Sequence, residues 1–220
     1  MKKALVVWGG WDGHEPQQVA EILAEALREN DFEVEVADTL DAFLDEDKLE
    51  GLDLIVPEWT MGEISAEQLN PVLAAVESGV GIAGLHGGMC DAFRQSTGWQ
   101  FMTGGQWVAH PGGAGITYEV NIVKPEDPIV AGIEDFEVTS EQYYMHVDPG
   151  NETLATTVFA GNGNVVVPVV WKKMWGQGRV FYSSLGHNAE VAAQDEPLTI
   201  MTRGMLWAAN GRERGTGNGE

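Results

Sequence analysis

Five histidines carry most of the chemistry available to this 220-residue chain: His14, His86, His110, His146 and His187. Each falls at or just past the end of an apolar, strand-like run, or in a loop marked by glycine and proline. Imidazole titrates near neutral pH and is the commonest metal ligand. Open α/β sheets collect their ligands at the carboxyl ends of strands. The placement therefore points to a single imidazole-rich cleft.

The sharpest local pattern is Gly84-Leu85-His86-Gly87-Gly88. An apolar strand breaks into a polar residue flanked by glycines, and a helix follows. Nucleophile elbows have this shape, because glycine permits the tight strand-to-helix turn. Here the displayed residue is a histidine, which serves as base, acid, ligand or polariser more readily than as a lasting nucleophile. Cys90, the single cysteine, lies four residues further on, and its default is burial as a small hydrophobe. A second strand-turn-histidine pattern runs Val180 to His187, and a polar-aromatic cluster runs Glu141 to Pro149. His86, His187, Glu141 and His146 are thus the candidate catalytic groups, with His86, His146 and His187 as ligands if a divalent metal such as zinc binds. Neither HExxH nor CxxC is present, so the metal expectation rests on composition. Glu141 and His146, five apart, suit neither one helical face nor one strand face and would converge only through a turn. Trp11 and His14 past the first strand, Trp59 past the third, Gly87 and Gly88 at the elbow, and Trp107, His110 and Tyr143 are candidate substrate contacts. Indole faces beside carboxylates and imidazoles suit sugar rings. No GxGxxG follows the first strand, so no nucleotide cofactor is expected.

These residues need a frame. Ala4–Trp8, Phe32–Ala37, Leu52–Val56 (ended by Pro57) and Gly81–Leu85 read as strands. Between them, Val19, Ile22, Leu23, Ala26 and Leu27 form one helical face, and Ser65 with Gln68 forms a capping box that opens another helix. This alternation predicts βαβ crossovers and a parallel sheet. Met89–Gln95 reads as a short helix. Gly98–Gly115, with six glycines and a proline in eighteen residues, reads as a long loop. Strand-like runs follow at 116–123, 136–139, 153–159, 165–171 and 179–183 with little helix between them, so part of the sheet is expected to be antiparallel. Leu198, Met201, Met205 and Leu206 make a last helical face. Trp171 and Trp207 fall in regular elements and read as structural. The chain reads as one α/β domain over 1–210 with a frayed, apolar-free tail over 211–220.

Thirty-four acidic against twelve basic side chains give a formal charge of −22. That charge argues against nucleic-acid binding, which needs Lys and Arg on phosphates, and equally against an anionic membrane surface. No run approaches a membrane span. A lone cysteine precludes an internal disulfide and fits a cytoplasmic location.

Four runs in order, GLHGGMCDAF, GGQWVAHPGG, DPIVAGIEDFEV with TSEQYYMHVDP, and GQGRVFYSSLGH with a late RGMLWA, resemble the ThuA-like family, named for trehalose utilisation. The resemblance covers about residues 3 to 210. It implies the class I glutamine amidotransferase-like fold, a flavodoxin-like three-layer sandwich, and a role in disaccharide or keto-sugar metabolism. In amidotransferases of that fold the elbow holds a cysteine, with a histidine and a glutamate after the last strand. In this sequence His86 holds the elbow, His187 follows a late strand and Glu190 comes three further on, so the nucleophile is missing and glutaminase chemistry is not expected. The expected activity is that of a hydrolase, lyase or isomerase acting on a small sugar, with a non-catalytic sugar-binding or assembly domain as the alternative. Enzymes of this fold are often oligomeric, so a homo-oligomer is compatible with the resemblance.

Overall fold

A computed structural model of the chain describes residues 1–211. In chain order the strands and α-helices are β1 (Lys2–Gly10), α1 (Pro16–Arg28), β2 (Phe32–Ala37), α2 (Glu46–Glu50), β3 (Leu54–Thr60), α3 (Ala66–Glu77), β4 (Gly81–Leu85), α4 (His86–Cys90), α5 (Thr97–Thr103), β5 (Gly105–Ala109), β6 (Ile116–Ile122), β7 (Phe136–Ser140), β8 (Tyr144–Val147), β9 (Glu152–Phe159), β10 (Val165–Trp175), β11 (Gly178–Ser183), α6 (Ala189–Ala192) and α7 (Asp195–Ala209). Apart from Gly211, the expected frayed tail lies outside the described residues.

Nine strands form one mixed sheet in the order β2-β1-β3-β4-β11-β10-β9-β6-β7. The first five in that order run parallel to one another. The remaining four join by antiparallel ladders. Ala4–Val7 are all buried, as expected of a parallel strand covered on both faces. One face is covered by α1 and α7, which bury Val19, Leu23, Leu27, Ile200, Met201 and Met205 in one core. The other carries a second core with Phe43, Leu49, Val72, Val76, Met89, Trp99 and Trp171. α1 starts with Pro16 in its first turn, where a missing N–H costs nothing. α3 starts with the expected capping box, Ser65 Oγ accepting from Gln68 N at 3.2 Å and Gln68 Oε1 accepting from Ser65 N at 3.1 Å.

Three readings of the sequence change here. β3 does not end at Pro57 but runs on to Thr60. Beyond Ile55 it has left β4 and pairs with β1 alone, and a one-sided strand tolerates a residue without an N–H. The helix expected over Met89–Gln95 is displaced into two short ones, α4 and α5, joined through Asp91–Ser96. The segment 98–115 is not a long loop, since it holds most of α5 and all of β5. β5 pairs with β8 in a separate antiparallel ribbon. No helix among the described residues is long and apolar enough to cross a membrane.

Candidate functional site

Three strands of the parallel half deliver one histidine each. β1 ends at Gly10, where φ is +83° and an added Cβ would lie 2.1 Å from the Thr60 carbonyl oxygen. Only glycine fits there. The short turn Asp12–His14 then returns the chain, and His14 is buried with its Nδ1 2.8 Å from Thr60 Oγ1. β4 passes directly into α4 at His86, whose φ of +44° is the strained left-handed conformation of an elbow. His86 Nδ1 lies 2.8 Å from the Ser184 carbonyl oxygen, and Tyr182 Oη donates to the His86 carbonyl at 2.8 Å. An added Cβ on Gly87 would lie 2.6 Å from His14 Nδ1, and one on Gly88 2.4 Å from Glu58 Oε2. The elbow glycines therefore let His14 and Glu58 pack against the first turn of α4. His187 follows β11, the neighbour of β4, through Gly186 with φ +95°.

The carboxylate comes from the other half. Glu141 follows β7 directly and is buried. Its Oε2 lies 3.3 Å from His86 Nε2, 3.4 Å from His187 Nδ1 and 3.8 Å from His14 Nε2, while its Oε1 lies 3.4 Å from His110 Nδ1. One ligand atom each from His14, His86, Glu141 and His187 fall within 4.8 Å of one another. Burial pushes His86 down to about 4, more than the hydrogen bond its protonated ring would donate to Glu141 restores. Burial alone would raise the Glu141 carboxyl, but the surrounding His14, His187 and His86 outweigh it and hold it well below the usual carboxylate range. At neutral pH a neutral imidazole thus faces an ionised carboxylate.

The Ser184 carbonyl can only accept a hydrogen bond, so the hydrogen of His86 sits on Nδ1. Its Nε2 then turns a lone pair towards Glu141. Lone pair against carboxylate at 3.3 Å is repulsive unless a proton or a cation stands between them. A set of three imidazoles and one carboxylate is a donor set that divalent zinc accepts.

Aromatic rings wall the cluster. Tyr143 stacks on His86 with ring centroids 3.9 Å apart, and Trp11, half exposed, meets His14 edge-on at 4.8 Å. Trp107 lies 5.5 Å from His110 and 6.3 Å from Tyr143. Trp59 packs over Gly9 and Gly62. Glu58, 1% exposed, is pushed well above the usual carboxylate range by burial.

His146 is the site residue that the structure moves elsewhere. It lies on β8 opposite Gln106, exposed, while its neighbour Met145 is buried. Adjacent strand residues point to opposite faces, so β8 turns Met145 inward and His146 out. His14 takes the place in the cluster expected of His146. Glu190 is exposed in α6 and Glu141 supplies the carboxylate instead. Cys90 is buried and its thiol is pushed well above its ordinary value by burial, so it stays protonated. Thr60 and Ser184, which orient two of the imidazoles, carried no sequence signal beyond lying at strand ends.

Residues 3–208 match the ThuA family, described as trehalose utilisation. The chain belongs to the ThuA family. No curated protein matches it. Among solved structures, a ThuA-like protein from Parabacteroides merdae superposes with a TM-score of 0.75 at 18% identity, over 96% of this chain and 91% of that one. A cytoplasmic protein from Salmonella typhimurium LT2 gives 0.70 at 12% identity, over 94% of this chain and 99% of that one. A β-galactosidase from Bacillus circulans gives 0.61 at 13% identity, over 94% of this chain but 30% of the enzyme. At these identities the likeness is one of fold. ThuA membership and these neighbours agree with the mixed α/β sheet described above.

Proposed function

We propose that this ThuA protein is an enzyme of sugar metabolism that works at a divalent metal centre held by His14 Nε2, His86 Nε2, His187 Nδ1 and Glu141. The observation that carries the proposal is the convergence of three imidazole nitrogens on one buried carboxylate. The far nitrogens of His14 and His86 are engaged by Thr60 and Ser184. Metal-bound histidines are typically oriented in this way by an outer partner on the second nitrogen. His146 has no part in this set. Bound there, the metal would polarise a carbonyl or activate water.

The chain's own residues supply the rest. Glu141 keeps its second oxygen on His110, whose half-exposed ring can move a proton beside a sugar carbonyl. Tyr143 and Trp107 offer faces to the C–H side of a sugar ring. We also read the five parallel strands, in the order β2-β1-β3-β4-β11, as the flavodoxin-like arrangement that the family resemblance implies. Its ligands sit at the carboxyl ends of the strands, which is where His14, His86 and His187 lie.

Elemental analysis tests the centre. The purified protein should hold close to one zinc or similar ion per chain, and added zinc should raise the melting temperature of metal-stripped protein. Glu141→Gln should weaken metal affinity by about 100-fold or more, beyond what loss of an outer-shell partner does. Metal-free protein whose melting temperature ignores zinc would refute the proposal.

A further inference from the structure

Arg94 stands beside the cluster with a geometry that the metal centre does not use. Its Nε and Nη2 donate to the two carboxylate oxygens of buried Asp91 at 2.6 and 2.9 Å. Its Cζ lies 4.4 Å from the centre of the Trp107 ring. Among the described residues Nη1 makes no hydrogen bond, and the side chain is 39% exposed. Trp107 in turn adjoins His110 and Tyr143, and its Nε1 is buried without a hydrogen-bond partner. A planar guanidinium fixed on two sides has already given up the rotamer freedom that a mobile arginine loses on binding. The unused Nη1 of Arg94 and an unpartnered indole N–H thus belong to one stacked pair of side chains.

We propose that Arg94 is a specificity-determining residue whose free Nη1 donates to oxygens of an uncharged, polyhydroxylated ligand lying against Trp107, His110 and Tyr143. The proposal rests on the sugar reading above and names what selects the sugar. Asp91 cancels the charge of Arg94. Glu141 reaches the same wall through His110, and the chain carries a formal −22. Nη1 therefore presents directed hydrogen bonds without a net positive field, which suits hydroxyls better than a carboxylate or phosphate.

The test is calorimetric titration of zinc-loaded protein with trehalose, glucose and glucuronate, with zinc content and melting temperature measured on every sample. The native protein should bind a neutral sugar more tightly than glucuronate. Arg94→Met should lower neutral-sugar affinity by about tenfold, the loss of one well-made hydrogen bond, at unchanged zinc content. Arg94→Lys, which keeps the charge, should fail to restore it because a single ammonium cannot hold both Asp91 oxygens and the ligand. Native-like sugar affinity in Arg94→Met or Arg94→Lys, a native preference for glucuronate, or full zinc uptake with no affinity for either neutral sugar would overturn the proposal. Sugar selection by Arg94 in protein that takes up no zinc would support Arg94 and break the metal centre alone.

Discussion

The two halves of the sheet supply the site in different ways. In the parallel half, β1, β4 and β11 each end at the same edge, and the turns after them present His14, His86 and His187. Their positions follow from strand order and from glycines that admit no side chain. The antiparallel half supplies Glu141 from the segment between β7 and β8, and the β5–β8 ribbon brings Trp107, Tyr143 and, just past β5, His110 over the top. One half holds the nitrogen donors, and the other, with the ribbon, brings a carboxylate and an aromatic wall onto them. A parallel sheet by itself would present imidazoles without the Glu141 carboxylate, which the added strands bring.

Three experiments sharpen that contrast. The largest effect is expected from acid acting on the parallel half. His86 is held near 4 in the fold against an ordinary 6.5. Between those values the unfolded chain binds a proton that the folded chain does not, so stability falls as pH drops through this window. The full contribution is about 3 kcal/mol. Glu58 gives a slope of opposite sign, because its raised folded value favours the protonated fold at low pH. Denaturant unfolding of metal-free native protein and His86→Asn from pH 7 to pH 4 isolates the histidine, since Glu58 is common to both. The native protein should lose about 3 kcal/mol relative to the variant across that range; parallel curves would show that His86 is not held neutral by the fold.

A smaller effect is expected from the outer shell. Thr60→Val removes the hydroxyl that sits 2.8 Å from His14 Nδ1 while keeping the β-branched shape. Metal affinity, read by competition with a chelator, should fall about 10- to 100-fold. An unchanged affinity would mean that the turn after β1 orients His14 without help. The smallest effect is expected from His146→Ala, on the outward face of the ribbon. Metal affinity should not move and stability should shift by no more than about 0.5 kcal/mol. A drop in metal content would bring His146 back to the site and erase the contrast between the two faces of β8.

Legibility in the sequence follows the same division. The parallel half was readable because long apolar runs, helical faces and the capping box each have a period of their own, and Gly84–Gly88 displays its histidine by local geometry alone. β5, β8 and α5 were not readable. Elements of four to seven residues have little intrinsic stability and form because the core behind them takes up Trp99, Met102 and Met145. Six glycines made the same stretch look like loop. The sequence placed His14 among the substrate contacts and His146 among the ligands, and the structure groups His14 with His86, Glu141 and His187 for a related reason. The five-residue spacing of Glu141 and His146 allowed contact only through a turn; strand alternation instead turned His146 outward, and the anchor for His14 lay on the part of β3 beyond Pro57.

The amino-acid order by itself determined the alternation of strands and helices, the elbow at His86, the acidic surface and the set of side chains from which a site could be made. Only the tertiary structure decided which of them meet. Glu141 and His86 are 55 positions apart, and His86 and Ser184 are 98 apart, yet each pair lies within 3.3 Å. Contacts at that separation come from how strands are ordered and paired across the sheet, and no local spacing encodes them. Which nitrogen faces the carboxylate is likewise set by a distant carbonyl and a distant hydroxyl, because an imidazole takes its orientation from whatever holds its other edge.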